Sequence, residues 1–217
     1  MPTTRLRPGW PPEWPIPPGP PHPRPQPERV PAVLPAWPEG VPEADDWLSQ
    51  RLFDNRIVVV RGTIDRDTAT RLTAQLLALD EASSRPVRLQ FDTPAADVTA
   101  ALLIADTLGL LRVTTHGMVI GEVGGGSLAI LAATTRRSAL RHARVRLSEP
   151  RPDAELRHDA DKARQHAELL TEFVEFLARI TRRSTDEIAA DLRGRRYLTA
   201  TEAVEYGLIH EIAHSSE

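Results

Sequence analysis

The chain predicts an α/β domain, a mostly parallel β-sheet of βαβ repeats wrapped by helices, with one long helix protruding and a proline-rich tail in front. Three observations carry that prediction. Ile57-Val58-Val59-Val60 is an unbroken β-branched run, the pattern of a strand buried on both faces. Ala69, Leu72, Leu76 and Leu79 follow at three- and four-residue spacing, which gives a helix one apolar side to lay on a sheet. The alternation of short apolar run and amphipathic stretch then repeats, as a sheet with helical crossovers requires.

The elements follow in order. Sixteen of the twenty prolines fall between Pro2 and Pro42, so residues 1–43 predict polyproline II or disorder, and residues 44–217 the folded domain. Runs such as Pro15-Ile16-Pro17-Pro18 suit a docking segment for aromatic grooves, and a solvated tail equally. Asp65 caps the helix that carries Ala69 to Leu79. Val87 to Phe91 is the next strand, Val98 to Leu111 a helix, and Val113 to Ile120 a strand that enters a glycine turn. Ser127 to Ala133 opens another helix, and Val145 to Leu147 another strand. The long helix runs from about His158 to Ile180 with Leu169, Leu170, Phe173, Phe176 and Leu177 as its apolar stripe. Ser184 and Thr199 cap two short helices, Ser184-x-x-Glu187 reads as a capping box, and Gly207 is a helix stop.

Composition narrows the function classes. A formal net charge of -3 without a basic stripe points away from nucleic acid and anionic membranes. The absence of cysteine excludes disulfides, thiolate nucleophiles and Cys-ligated zinc. No apolar run is long enough to span a bilayer and no secretory signal order is present, so a cytoplasmic location is expected. The seven histidines show no metal spacing, and Gly124-Gly125-Gly126 lacks the lysine of a phosphate loop, so neither metal nor intrinsic cofactor is expected.

Several ungapped stretches resemble the proteolytic subunit family of the ATP-dependent Clp protease. Arg51-Leu52-Phe53-Asp54-Asn55-Arg56-Ile57 is similar to the family's entry to its first strand, and Ala74-Gln75-Leu76-Leu77-Ala78-Leu79 to its first sheet-packing helix. Tyr197-Leu198-Thr199-Ala200-Thr201-Glu202-Ala203-Val204-Glu205-Tyr206-Gly207-Leu208-Ile209 is the most specific match, close to Phe-Leu-Ser-Ala-x-Glu-Ala-x-Glu-Tyr-Gly-Leu-Ile. The resemblance implies a ClpP/crotonase-like fold, oligomeric rings, and ATP consumed only by a partner ATPase.

It also locates the chemistry, which needs a hydroxyl nucleophile, an imidazole base, an acid and oxyanion donors. The family turn Gly-Gln-Ala-Ser/Ala-Ser-Met-Gly places the nucleophile at Gly125, with Gly126 in the methionine slot and, like Ala95 and Ala96, at an oxyanion position. The stretch Arg-x-Met-Ile-His-Gln-Pro reads Arg144-Val145-Arg146-Leu147-Ser148-Glu149-Pro150, which places the base at Ser148. The acid is matched to Asp191. The oxyanion loop Asn-Ser-Pro-Gly-Gly reads Asp92-Thr93-Pro94-Ala95-Ala96, and alanine resists any positive φ that glycine supplied there. Residues 151–156, which replace a glycine-rich strand of the family, are two residues short.

Glycine cannot attack and a neutral hydroxyl cannot accept a proton near neutral pH. The resemblance therefore implies a subunit that has lost its peptidase chemistry and joins an intact paralogue, with a Clp ATPase or adaptor as further partner. Three alternatives stay open at this point. Ser127 could act as a displaced nucleophile by a non-standard arrangement, although His142 lies before the strand and His158 beyond it, neither at the expected place of a base; a crotonase-like enzyme could use Glu122 or Glu149; the proline-rich tail could be a binding module on a vestigial scaffold.

Overall fold

The computed structural model describes residues 44–150 and 160–213, and the expectations for the tail, for residues 151–156 and for His158 lie outside them. The elements are α1 (Ala44–Asp54), β1 (Ile57–Ile64), α2 (Arg66–Ala82), β2 (Val87–Ala96), α3 (Val98–Leu110), β3 (Thr115–Gly124) and α4 (Ser127–Ala133). They continue with β4 (Arg136–Ala139), β5 (Arg144–Arg146), α5 (Ala160–Thr181), α6 (Thr185–Gly194), β6 (Tyr197–Thr199), α7 (Ala200–Tyr206) and β7 (Glu211–Ile212). Strand order along the sheet is β1-β2-β3-β4-β7, all parallel. Beyond the end of β4, β5 continues the pairing on β3 and holds β6, the one antiparallel neighbour among the described residues.

Helices cover one side of this sheet. Val58 and Val60 of β1, Leu89 and Phe91 of β2, Val119 of β3 and Ala139 of β4 are buried with Leu72, Leu76, Ile104, Leu128, Ile130 and Leu131 in a single core. Ile57 and Val59, expected to be buried, remain half-exposed, because their side chains alternate onto the face that no described helix of the domain covers. A continuous apolar run records that both faces want cover without saying what supplies it.

Local chemistry sets the ends. Asp65 accepts the Thr68 N–H at 2.8 Å and starts α2; Asp97 accepts from Thr99 and Ala100 and starts α3. Arg56, buried with φ of 59°, donates to the carbonyls of Leu79, Ser83 and Pro86, so the first strand is tied to the end of α2, where helix carbonyls lack partners. Ser184 and Thr199 each close a full capping box with Glu187 and Glu202, and Gly207 ends α7 at φ of 88°. The long helix buries Phe173 and Leu177, while residues 160–165 stand exposed at its start. Four elements escaped the sequence reading. Helix α1 is polar and weakly periodic, and β4, β6 and β7 span four, three and two residues, too short for a period to register.

Candidate functional site

Strand β3 ends at Gly124, the chain reverses through Gly125 with φ of 58°, and α4 begins at Ser127. A strand running straight into a helix through one left-handed residue is the backbone shape that presents a nucleophile at a sheet's carboxyl end. A Cβ built on Gly125 would meet nothing closer than Ala95 Cα and the Glu149 carbonyl at 3.7 Å and the Ala96 nitrogen at 3.8 Å. The turn thus has room for a side chain, and its only obstacle to one is the positive φ.

The fold brings the base position to the same place. The loop after β5 carries Ser148, buried, and passes Gly125 through the Glu149 carbonyl. Ala95 and Ala96 also arrive, as the buried last two residues of β2 paired with Thr63 and Ile64 of β1. Neither alanine has a positive φ, and both remain in β2, whose pairing slips register just before them.

The neighbouring position departs further. Gly126 stands in the methionine slot, and a Cβ there would lie 2.6 Å from the Ala96 carbonyl oxygen and 3.1 Å from Ala101 Cβ. The turn is therefore packed onto β2 at a distance that only glycine permits. Arg146 adds a second lock. It pairs with Glu122 at 2.8 Å, donates to the Pro94 carbonyl at 2.6 Å and lies 6.0 Å from the Tyr197 ring centre, tying β2, β3, β5 and β6 together beside the turn. Sequence reasoning passed over this arginine, although it fills a methionine slot of the family stretch.

Ser127 is not poised for chemistry. It is fully buried, and its Oγ lies 3.1 Å from Thr93 Oγ1. Thr93 donates its single proton to the Gly62 carbonyl at 2.5 Å, so Ser127 is the donor between the two hydroxyls. No histidine among the described residues bonds to Ser127; His142 is exposed in the turn before β5. The hydroxyl knits α4 to β2.

Asp191, matched to the acid, is also committed elsewhere. Its carboxylate accepts the Tyr206 hydroxyl at 2.7 Å and lies 3.6 Å from the Arg196 guanidinium. Burial first, and then this carboxylate, push the Tyr206 phenol above its ordinary value, so the hydroxyl stays a donor. In the antiparallel ladder Arg144, Val145 and Arg146 face Thr199, Leu198 and Tyr197, and the Leu147 N–H donates to Arg196 O at 2.8 Å. Arg195, at φ of 52°, caps the end of α6 just before this ladder.

No described helix is long and apolar enough to cross a membrane, and no described cluster of His, Cys, Asp or Glu could hold a metal ion. A cavity of about 550 Å³ between α3, α4 and α5 is lined by Leu110, Arg137, Phe176 and Ile180 among others, and by none of residues 125, 127, 148 or 191.

A model of the Clp protease family matches residues 42–216. The chain belongs to the Clp protease family. It is 33% identical over 178 residues to "ATP-dependent Clp protease proteolytic subunit 2" of Nocardia farcinica, covering 79% of this chain and 88% of that protein. It is 28% identical over 190 residues to "ATP-dependent Clp protease proteolytic subunit 1" of Thermobifida fusca, covering 83% and 85%. Among solved structures, a point mutant of ClpP1 from Listeria monocytogenes superposes with a TM-score of 0.68 at 25% identity, covering 77% of this chain and 96% of that one. The ClpP protease catalytic domain from Plasmodium falciparum, at 21% identity and a TM-score of 0.71, covers 82% of this chain and 96% of its own and shares the fold. The mostly parallel sheet with its helices is thus the ClpP fold.

Proposed function

We propose that this Clp protease proteolytic subunit homologue has no peptidase chemistry of its own and serves as a structural or regulatory subunit of a hetero-oligomeric ATP-dependent Clp protease. One observation carries the reading. The turn at Gly125 keeps the backbone of a nucleophile-bearing turn, with room for a side chain, and carries none.

The neighbouring positions support it. Ser148 beside the turn has no proton-accepting ring, and Ser127 is sealed under Thr93. In subtilisin the loss of the serine or the histidine alone lowers turnover by about 10⁶, roughly 8 kcal/mol of barrier, so two empty positions leave no ancestral route. The scaffold meanwhile keeps its core, its capping boxes and its protruding α5, whose exposed start is suited to contact between rings. The partners in this reading are a catalytically intact Clp proteolytic paralogue and, through the assembly, a Clp ATPase or adaptor; ATP is used by that ATPase alone.

Two measurements test the proposal. The purified chain, with Ser127→Ala as control, should turn over no fluorogenic peptide and take no fluorophosphonate label. Affinity-tagged chain expressed in its own host should co-purify with an intact proteolytic subunit. Serine-dependent labelling would refute the loss of chemistry, and a chain that stays monomeric beside every intact paralogue would refute the assembly.

A further inference from the structure

The buried end of β4 holds a charge without an ordinary partner. Arg137 is 8% exposed, and none of the ion pairs among the described residues involves it. Its guanidinium is satisfied by backbone instead. Nε donates to Leu208 O at 2.8 Å, and Nη1 to Ala132 O and Thr134 O at 3.2 and 3.0 Å, just past α7 and at the end of α4. The remaining contact is to a side chain: Nη2 lies 2.8 Å from His210 Nε2, while the Arg137 backbone N–H lies 3.1 Å from His210 Nδ1.

Both ring nitrogens therefore face groups that can only donate. A neutral imidazole has one lone pair to offer, so it serves one of the two donors and no more. A protonated ring serves neither, and sets its charge against a guanidinium that cannot give up its own. The other charged groups nearby divide in sign: Arg136 on β4 opposes protonation, and Glu211, next along the chain, favours it. From α4 and from the residues after α7 come only carbonyls.

The strand that His210 anchors is slight. β7 meets β4 through two ladder positions, Ser138 with Glu211 and Ala139 with Ile212. The His210 N–H to Arg137 O at 2.9 Å and the Ala213 N–H to Ala139 O at 2.8 Å flank them. His210 is exposed and borders an open crevice of about 300 Å³ with Thr135, Arg136, Arg137 and Glu211, so its ring has a path to water.

We propose that His210 is a proton-operated latch on the edge of the sheet: on taking up a proton its ring leaves Arg137 and β7 separates from β4. Burial, and after it Arg137, hold the imidazole below its ordinary value. The folded-state value thus lies below the unfolded one, so the latch contributes fully above about pH 6.5 and is lost as pH falls through the folded value.

Amide hydrogen exchange on the full chain, from about pH 7.5 to about pH 5.5, reads the latch directly. After correction for intrinsic exchange, the amides of residues 211–213 should lose several-fold, and at most about tenfold, in protection, while those of β2 hold. His210→Gln, which accepts without titrating, should remove that dependence. His210→Asp, which gives Arg137 a carboxylate, should keep β7 protected at the lower pH. Identical pH profiles for the native chain and His210→Gln would overturn the proposal. If His210→Gln does not fold, the native chain decides by NMR: the β7 amide shifts must share the midpoint of the His210 ring titration, and independent midpoints would refute the latch.

Discussion

The turn from β3 into α4 and the C-terminal unit of α6, β6 and α7 both come from stretches that mark this chain as a Clp protease relative, and they have diverged in opposite ways. The C-terminal unit keeps its side-chain devices. Two capping boxes close, Gly207 ends its helix in the left-handed region, and Tyr206 donates to Asp191. The turn passes through Gly125 in the left-handed region, with room for a side chain and none present, at the position we propose for a lost nucleophile. The difference teaches that the groups holding this fold together are separable from those placed to do chemistry. Capping and core contacts contribute to folding wherever they form, whereas a nucleophile on a left-handed turn contributes nothing to stability and strains the backbone.

Substitutions in the two regions can sharpen or break that contrast. The largest effect is expected from returning methionine to the turn. Gly126→Met drives a Cβ into the Ala96 carbonyl at 2.6 Å, and should destabilise the domain by about 3 kcal/mol in urea unfolding. A neutral result would mean that the turn relaxes freely and that its tight packing is no barrier to an active geometry. In the C-terminal unit, Tyr206→Phe leaves the half-buried Asp191 with Arg196 alone and should lose about 2 kcal/mol.

Gly125→Ser is the pointed case. Nothing lies closer than 3.7 Å to the new Cβ, so the loss should be the left-handed penalty alone, about 1–2 kcal/mol, with peptide turnover still at background because no base has been supplied. Measurable hydrolysis by that single variant would show that the rest of the machinery survives. The smallest expected change is Ser184→Ala, about 1 kcal/mol from one lost cap, read as a shift in urea midpoint with unchanged slope.

Legibility differed between fold and site for physical reasons. Ala69, Leu72, Leu76 and Leu79 stood out as a face in the sequence and are all buried, because helical period and burial are one geometric fact. Ser184, Thr199 and Gly207 were readable because caps depend on residues three or four apart. The short β6 and β7 were not, since their pairing partners lie about fifty and seventy residues away. At the site, Gly125 and Ser148 were picked out by position, and the fold brings the Glu149 carbonyl, next to Ser148, to the turn at Gly125. The places of Ser127 and Asp191 were not foreseeable, because a hydroxyl's partner and a carboxylate's direction are set by elements distant in sequence.

The amino-acid sequence by itself determined the α/β alternation, the helix caps, the family, and the absence of serine and histidine at residues 125 and 148, all of which depend on residue identity and short-range spacing. Only the tertiary structure decided that the turn packs too tightly for anything but glycine at residue 126, that Ser127 serves Thr93, and that Asp191 accepts from Tyr206. It also decided that His210 answers to Arg137. Those facts depend on which backbone groups meet across the sheet, and a register between strands far apart in the chain is fixed by packing of the whole domain.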